Sequence, residues 1–205
     1  SKPSKGYHLE DLAADAAAFM DALGLEQAVI VGHSMGSAVA QRLALDYPDR
    51  SAGLVLAGAC VVKPGGAQVQ AFWDSTVSKL TDPVDPDFAR GFLESTLAQP
   101  VPEKTFERAL TDSLKLPARV WKAMWKARLE LEDMSDLLDR IKVPTLIVWG
   151  DRDARCPGSD QEVLASGLTN SRLVVYRGAG HGLHLEAPGR FASDVADFVK
   201  GVASS

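Results

Sequence analysis

Four short runs of largely apolar character, rich in β-branched residues, constrain this chain more than any other feature: residues 28–32, 53–58, 144–150 and 171–176. A strand with one wet face alternates apolar and polar residues. A run that does not alternate suits a strand covered on both faces, as in parallel sheets. Helical patterns separate these runs. Leu9, Leu12, Ala13, Ala16, Phe19, Met20 and Leu23 form a stripe at steps of three and one that stops at Gly24. A second helix is expected over 37–47, closed by Pro48, and a last one over 187–200 with Phe191, Val195, Phe198 and Val199 facing the core. Strands alternating with helices predict an α/β fold built on a parallel sheet.

The alternation is interrupted between the second and third strands. Residues 61–138 carry helical periodicity, several prolines and no strand pattern, with helices predicted near 67–80, 86–98, 102–114, 117–132 and 134–140. An insertion of that length is a subdomain and not a loop. The chain therefore divides into an α/β core, 1–60 and 139–205, and a helical cap, 61–138. Three of the four tryptophans, Trp73, Trp121 and Trp125, lie in this stretch with Phe72, Phe88, Phe92 and Phe106. Such rings form the core of a small helical cap, the lining of an apolar pocket, or both.

Composition closes off other classes. With 22 Lys+Arg against 27 Asp+Glu, a net charge of −5 and no basic cluster, nothing offers a nucleic-acid backbone the positive face it needs. The longest nearly apolar run, 52–62, is far short of the roughly 20 residues that cross a bilayer. Cys60 and Cys156 are far apart, without CxxC spacing or a histidine cluster, and are read as two free thiols, Cys156 as a small buried apolar group. The chain opens on Ser1 without an initiator methionine; a cytoplasmic location is the expectation, with a preceding signal left open.

The chemistry concentrates at three turns. Gly32-His33-Ser34-Met35-Gly36 joins a buried strand to a helix. A sharp turn there strains the serine backbone and projects its hydroxyl clear of the sheet, and glycines at 32 and 36 are expected to remove side chains that would collide. The helix N-terminus beneath adds a favourable dipole for negative charge. A serine hydroxyl needs a base to take its proton, and the base needs a carboxylate to orient it. Candidates follow the third strand, at Asp151 and Asp153, and the fourth, at His181 and His184. Both turns lie at the carboxyl ends of strands, where parallel sheets bind ligands. The loop 58–60 offers no carboxylate. His184 reads as a structural partner of His181, His33 as packed beside the serine turn, and His8 and Asp15 as solvated or capping groups on the first helix.

Together the motifs GHSMG at 32–36, PTLIVWGDRD at 144–153 and GAGHGLHLEAP at 178–188 resemble the α/β-hydrolase superfamily, in the branch with a helical cap, over nearly the whole chain. The resemblance implies Ser34 as nucleophile, Asp153 as acid (in similar proteins the third residue after the strand-ending glycine), His181 as general base and the Met35 backbone N–H as an oxyanion donor. It implies no cofactor and no metal. His33, Trp121 and Trp125 are expected to border a small-molecule substrate. The expected reaction is hydrolysis of an ester, thioester or lactone of a small, largely apolar acid. A carbon–carbon bond hydrolase, a haloperoxidase-like enzyme, and a non-catalytic binding protein or inactive fragment are the alternatives. Serine at 34 argues against dehalogenases and epoxide hydrolases, relatives that carry aspartate there. The chain departs from the family at its front: Ser1-Lys2-Pro3 resembles the segment after the family's RGxGxS turn, so the first strands and the HG-type loop that supplies a second oxyanion donor are expected to be missing. The strand at 28–32 would then present an unpaired edge through which copies could associate.

Overall fold

The computed structural model describes residues 2–204; Ser1, on which part of the reading of the chain's front rests, lies outside them. The four apolar runs become strands β1 (Ala28–His33), β2 (Ser51–Ala57), β3 (Thr145–Gly150) and β4 (Ser171–Tyr176). All neighbours are parallel, in the order β1-β2-β3-β4. β2 is interior, and Leu54 to Ala57 are fully buried. Leu54 and Leu56 face one side, with Ile147 and helices α2 (Met35–Asp46) and α7 (Gly158–Gly167), through Ala40, Ala44 and Leu164. Val55 faces the other, with Leu146, Val148, Tyr176 and, after the single turn α8 (Leu183–Glu186), helix α9 (Pro188–Ala203), through Phe191, Val195 and Phe198. Burying each large aliphatic side chain contributes about 1.5–3 kcal/mol, so the apolar runs are the main reason the sheet forms.

Helix α1 (Leu9–Ala22) packs through Leu9, Ala13, Ala17 and Met20, with Ala13 and Ala17 clustered on Leu43 of α2. Two members of the expected stripe do not pack: Phe19 is 65% and Leu23 57% exposed. Val199 of α9 is likewise exposed, on the solvent side of a helix whose core face is spent on Phe191, Val195 and Phe198.

Between β2 and β3 the chain forms α3 (Ala67–Ser75), α4 (Pro86–Glu94), α5 (Glu103–Leu114) and α6 (Ala118–Leu129). α4 starts where Asp85 accepts a hydrogen bond from the Asp87 N–H at 2.9 Å, with Pro86 at the first helical position. α3 and α4 are shorter than predicted; the chain turns into a short 3-10 helix at Val77–Lys79, and beyond Glu94 the bonding tightens to turns in which Thr96 and Leu97 donate to Leu93 and Glu94. Val84, Ala118 and Trp121 form a small core with Phe88, Phe92 and Trp125 around it. This layer is tied to the sheet side where the Gly182 N–H donates to the Thr96 carbonyl at 2.8 Å and the Ala98 N–H to Glu186 Oε1 at 2.9 Å.

The two cysteines correct the reading as free thiols. Cys60 and Cys156 form a disulfide, with Cα atoms 4.9 Å apart. Distance in sequence misled: adjacent parallel strands β2 and β3 bring the segments following their carboxyl ends side by side. No helix is long and apolar enough to cross a membrane among the described residues.

Candidate active site

The site is assembled at the carboxyl ends of the strands. Gly32 must be glycine because a Cβ there would lie 2.2 Å from the Gly36 carbonyl oxygen. At Gly36 itself an added Cβ would meet nothing within 4 Å, so the expected collision is one-sided: it is the Gly36 backbone that needs Gly32 bare. Between them Ser34 takes φ 53° and ψ −118°, a left-handed conformation rarely adopted by a residue with a side chain. Strain of this kind costs about 1–3 kcal/mol and persists only where surrounding structure enforces it. Here the Ser34 N–H is anchored on the Ala57 carbonyl at 2.9 Å. A serine before a helix ordinarily spends its oxygen on the helix's first free N–H groups. Ser34 makes no such cap bond to α2.

Its hydroxyl meets His181 instead. Ser34 Oγ lies 2.8 Å from His181 Nε2, and His181 Nδ1 lies 2.8 Å from Asp153 Oδ2. A carboxylate accepts, so Nδ1 carries the proton and Nε2 is left to accept from the hydroxyl. The other oxygen of Asp153 accepts from the backbone N–H groups of Arg155 at 2.8 Å and Cys156 at 3.0 Å. Burial alone would raise the pKa of Asp153. The hydrogen bond and charge of His181 and those two N–H groups outweigh it and hold the carboxyl below its usual range. Asp151 is exposed and accepts from the Gly178 N–H at 2.6 Å, which makes it a turn residue of the histidine loop.

His33 packs between two other imidazoles, 4.9 Å from His181 and 4.3 Å from His184 by ring centres. Its Nε2–H donates to the His181 carbonyl at 2.8 Å. Burial, with the neighbouring His184 and His181, pushes its pKa down to about 4. Burial likewise lowers His184. Both are therefore neutral at pH 7, which keeps additional positive charge away from His181. His8 caps α1, its backbone N–H donating to Asp11 at 3.3 Å.

Other supporting groups were not anticipated from sequence. Glu186 accepts from the Gly180 N–H and from Ala98, bracing the histidine loop against the segment after α4. Its position inside the motif at 178–188 was the available signal. Gly58, at φ +52°, lets the chain pass His181, where a Cβ would lie 3.2 Å from Nδ1. Asp153, Cys156 and His181 bring three potential metal donors within 4.8 Å of one another. Each is engaged, Cys156 in the disulfide and the other two with each other.

The hydroxyl opens on a cavity of about 1130 Å³ roofed by α3 to α6. His33, Trp121 and Trp125 line it as expected, with Phe72, Phe88, Phe92 and Met124. Trp121 stands edge-on to Phe88 and Phe92, and Trp125 tilts against Phe72, so these rings are at once the core of the α3–α6 layer and the cavity wall. Arg128 and Arg155 are cationic members of the lining.

This arrangement of sheet, strained serine turn and roofed cavity is that of the α/β-hydrolase fold, and the chain belongs to that family, whose alpha/beta hydrolase fold description matches residues 1–188. Its relatives are hydrolytic enzymes. The chain is 30% identical over 197 residues to a 2-hydroxy-6-oxo-6-phenylhexa-2,4-dienoate hydrolase of Comamonas testosteroni, covering 88% of this chain and 65% of that protein. It is 34% identical over 185 residues to a pimeloyl-[acyl-carrier protein] methyl ester esterase of Neisseria meningitidis, covering 84% of this chain and 70% of the other. Among solved structures it superposes on an esterase from Exiguobacterium antarcticum with a TM-score of 0.86 at 27% identity, over 97% of this chain and 76% of that one.

Proposed function

We propose that this hydrolase is a serine enzyme that cleaves an ester, thioester or lactone of a small, largely apolar acid through an acyl-enzyme. The observation that carries the reading is the unbroken relay from Ser34 Oγ through His181 to Asp153, set at a strained turn beneath an apolar cavity. His181 Nε2 takes the hydroxyl proton as Ser34 Oγ attacks the carbonyl carbon. The oxyanion forms over the first turn of α2, where the Met35 N–H and the helix dipole favour negative charge. His181 then gives its proton to the leaving oxygen or sulfur, and on the return step activates water to release the acid and restore Ser34. In this reading 61–138 is the cap that excludes water and selects the acyl chain. The relation to a hydrolase of a phenylhexadienoate keeps carbon–carbon bond cleavage as a second reading. The disulfide favours a compartment that keeps thiols oxidised over the cytoplasm expected from sequence.

A fluorophosphonate probe tests the nucleophile, since only an activated hydroxyl reacts readily. Labelling should map to Ser34 and vanish in Ser34→Ala. Labelling that survives this substitution would overturn the assignment. Parallel assays with p-nitrophenyl esters and with a vinylogous 1,5-diketone separate the two bond types.

A further inference from the structure

Arg155 is a charged group in an apolar place. Its backbone N–H holds Asp153 at 2.8 Å, while its side chain crosses to the cap and lays the guanidinium over the Phe92 ring, 4.6 Å from its centre. Nη2 donates to Ser95 Oγ at 2.7 Å; Nε is buried without a partner. No carboxylate lies within ion-pair distance of the guanidinium among the described residues. Asp153 is the acid whose charge reaches it, and that carboxylate is already shared by His181 and two N–H groups. The other arginine of the cavity, Arg128, donates through Nη1 to the Lys63 carbonyl at 2.8 Å and feels Asp160; it too lacks a carboxylate at ion-pair distance, but the buried nitrogen without a partner is on Arg155.

A guanidinium set over an aromatic ring, partly withdrawn from water and without a carboxylate at ion-pair distance, is a preformed receptor for a planar anion. Leaving it unpaired costs free energy that an anionic ligand would recover. Its place matters as well. Ser95 adjoins Thr96, whose carbonyl receives the Gly182 N–H beside His181, so the guanidinium shares the rim of the cavity that Ser34 opens on.

We infer that Arg155 is a specificity-determining residue that binds a carboxylate carried by the substrate, so that the preferred ester is one bearing a second, free carboxylate. The inference rests on the hydrolase reading and narrows its substrate class. The anion binds through the open edge of the guanidinium while the apolar remainder lies along Phe92, Trp121 and Trp125.

The test compares p-nitrophenyl monoesters of adipic, pimelic and suberic acid with neutral p-nitrophenyl alkanoates of equal chain length, and hexanoate esters of a neutral alcohol with those of its ω-carboxy analogue. Wild type should prefer the charged member of at least one pair in kcat/KM. Arg155→Gln should cut that preference roughly 10- to 100-fold, and Arg155→Lys should restore part of it. The preference is a ratio within one protein sample, so partial misfolding cancels. Equal loss on charged and neutral esters would mean that Arg155 only ties the cap to the core, and would overturn the inference. So would preference for the neutral member in every pair, or a preference abolished by Arg128→Gln and not by Arg155→Gln. If Ser34 fails to label with fluorophosphonate, the hydrolase reading falls separately. Binding then decides: tryptophan fluorescence of Ser34→Ala should respond to monomethyl adipate at lower concentration than to dimethyl adipate. That difference should disappear in Ser34→Ala/Arg155→Gln, and its persistence there would sink the proposal.

Discussion

The two aspartates after β3 illustrate how a few ångströms separate the surroundings of chemically equal residues. Asp151 and Asp153 both follow Gly150, and both are aspartates at the carboxyl end of a strand. Asp153 turns inward, gives one oxygen to His181 and the other to two backbone N–H groups. Asp151 turns out to water and braces Gly178. Asp153→Asn should therefore lower acylation of Ser34 by roughly 10³–10⁴-fold, because an amide in that place can set the wrong imidazole tautomer. Asp151→Asn retains an oxygen that accepts from Gly178, and should change the rate by no more than about twofold. Stopped-flow acylation by p-nitrophenyl butyrate measures both; the reverse order would transfer the acid role to Asp151.

At the scale of elements, α7 shows why a helix can go unseen in sequence. Its buried face includes Asp160 and Gln161 beside Leu164, so the apolar stripe that normally betrays a helix is broken. The polar residues are buried because they bind backbone: Asp160 accepts from the Val61 N–H at 3.0 Å and Gln161 donates to the Ala59 carbonyl at 2.7 Å. These bonds and the Cys60–Cys156 disulfide fasten the loop after β2 to the segment that carries the acid. The bridge spans a sequence separation of 96, which encloses α3 to α6. Cys60→Ala/Cys156→Ala should lower stability by about 2–4 kcal/mol in denaturant unfolding. An unchanged midpoint, with two thiols titrating in the unfolded, unreduced wild type, would refute the bridge.

Across the whole molecule the sheet is asymmetric. β2 and β3 are buried on both faces, whereas β1 ends the sheet with Val31 49% exposed, close in sequence to Leu23 and Leu25, both also exposed. Relatives extend beyond what this chain spans, about 65% of the dienoate hydrolase's length. Unpaired N–H and C=O groups along an apolar strand are a template for pairing with another chain. This chain should self-associate through that edge, seen as a sedimentation coefficient that rises with concentration. Val31→Lys should shift the species towards monomer by placing a charge at the edge. A concentration-independent monomer would refute the edge contact.

Apolar runs and helical periodicity were enough to locate the four strands, α1, α2, α9 and the helical insertion, because burial leaves a pattern that neighbours in sequence share; burial on both faces holds for β2 and β3, while the edge strands β1 and β4 are partly exposed. The serine turn and the histidine loop were legible for a related reason: tight turns need glycine at set positions, as Gly32 shows against the Gly36 carbonyl. What remained hidden depends on groups distant in the chain. The disulfide, the bracing of the histidine loop by Glu186, the exposure of Phe19 and Leu23, and the guanidinium of Arg155 stranded on Phe92 are each decided by which segments lie side by side. A sequence records what each residue needs locally, in torsion and in water; only the packed structure decides which neighbour meets that need, or leaves it unmet.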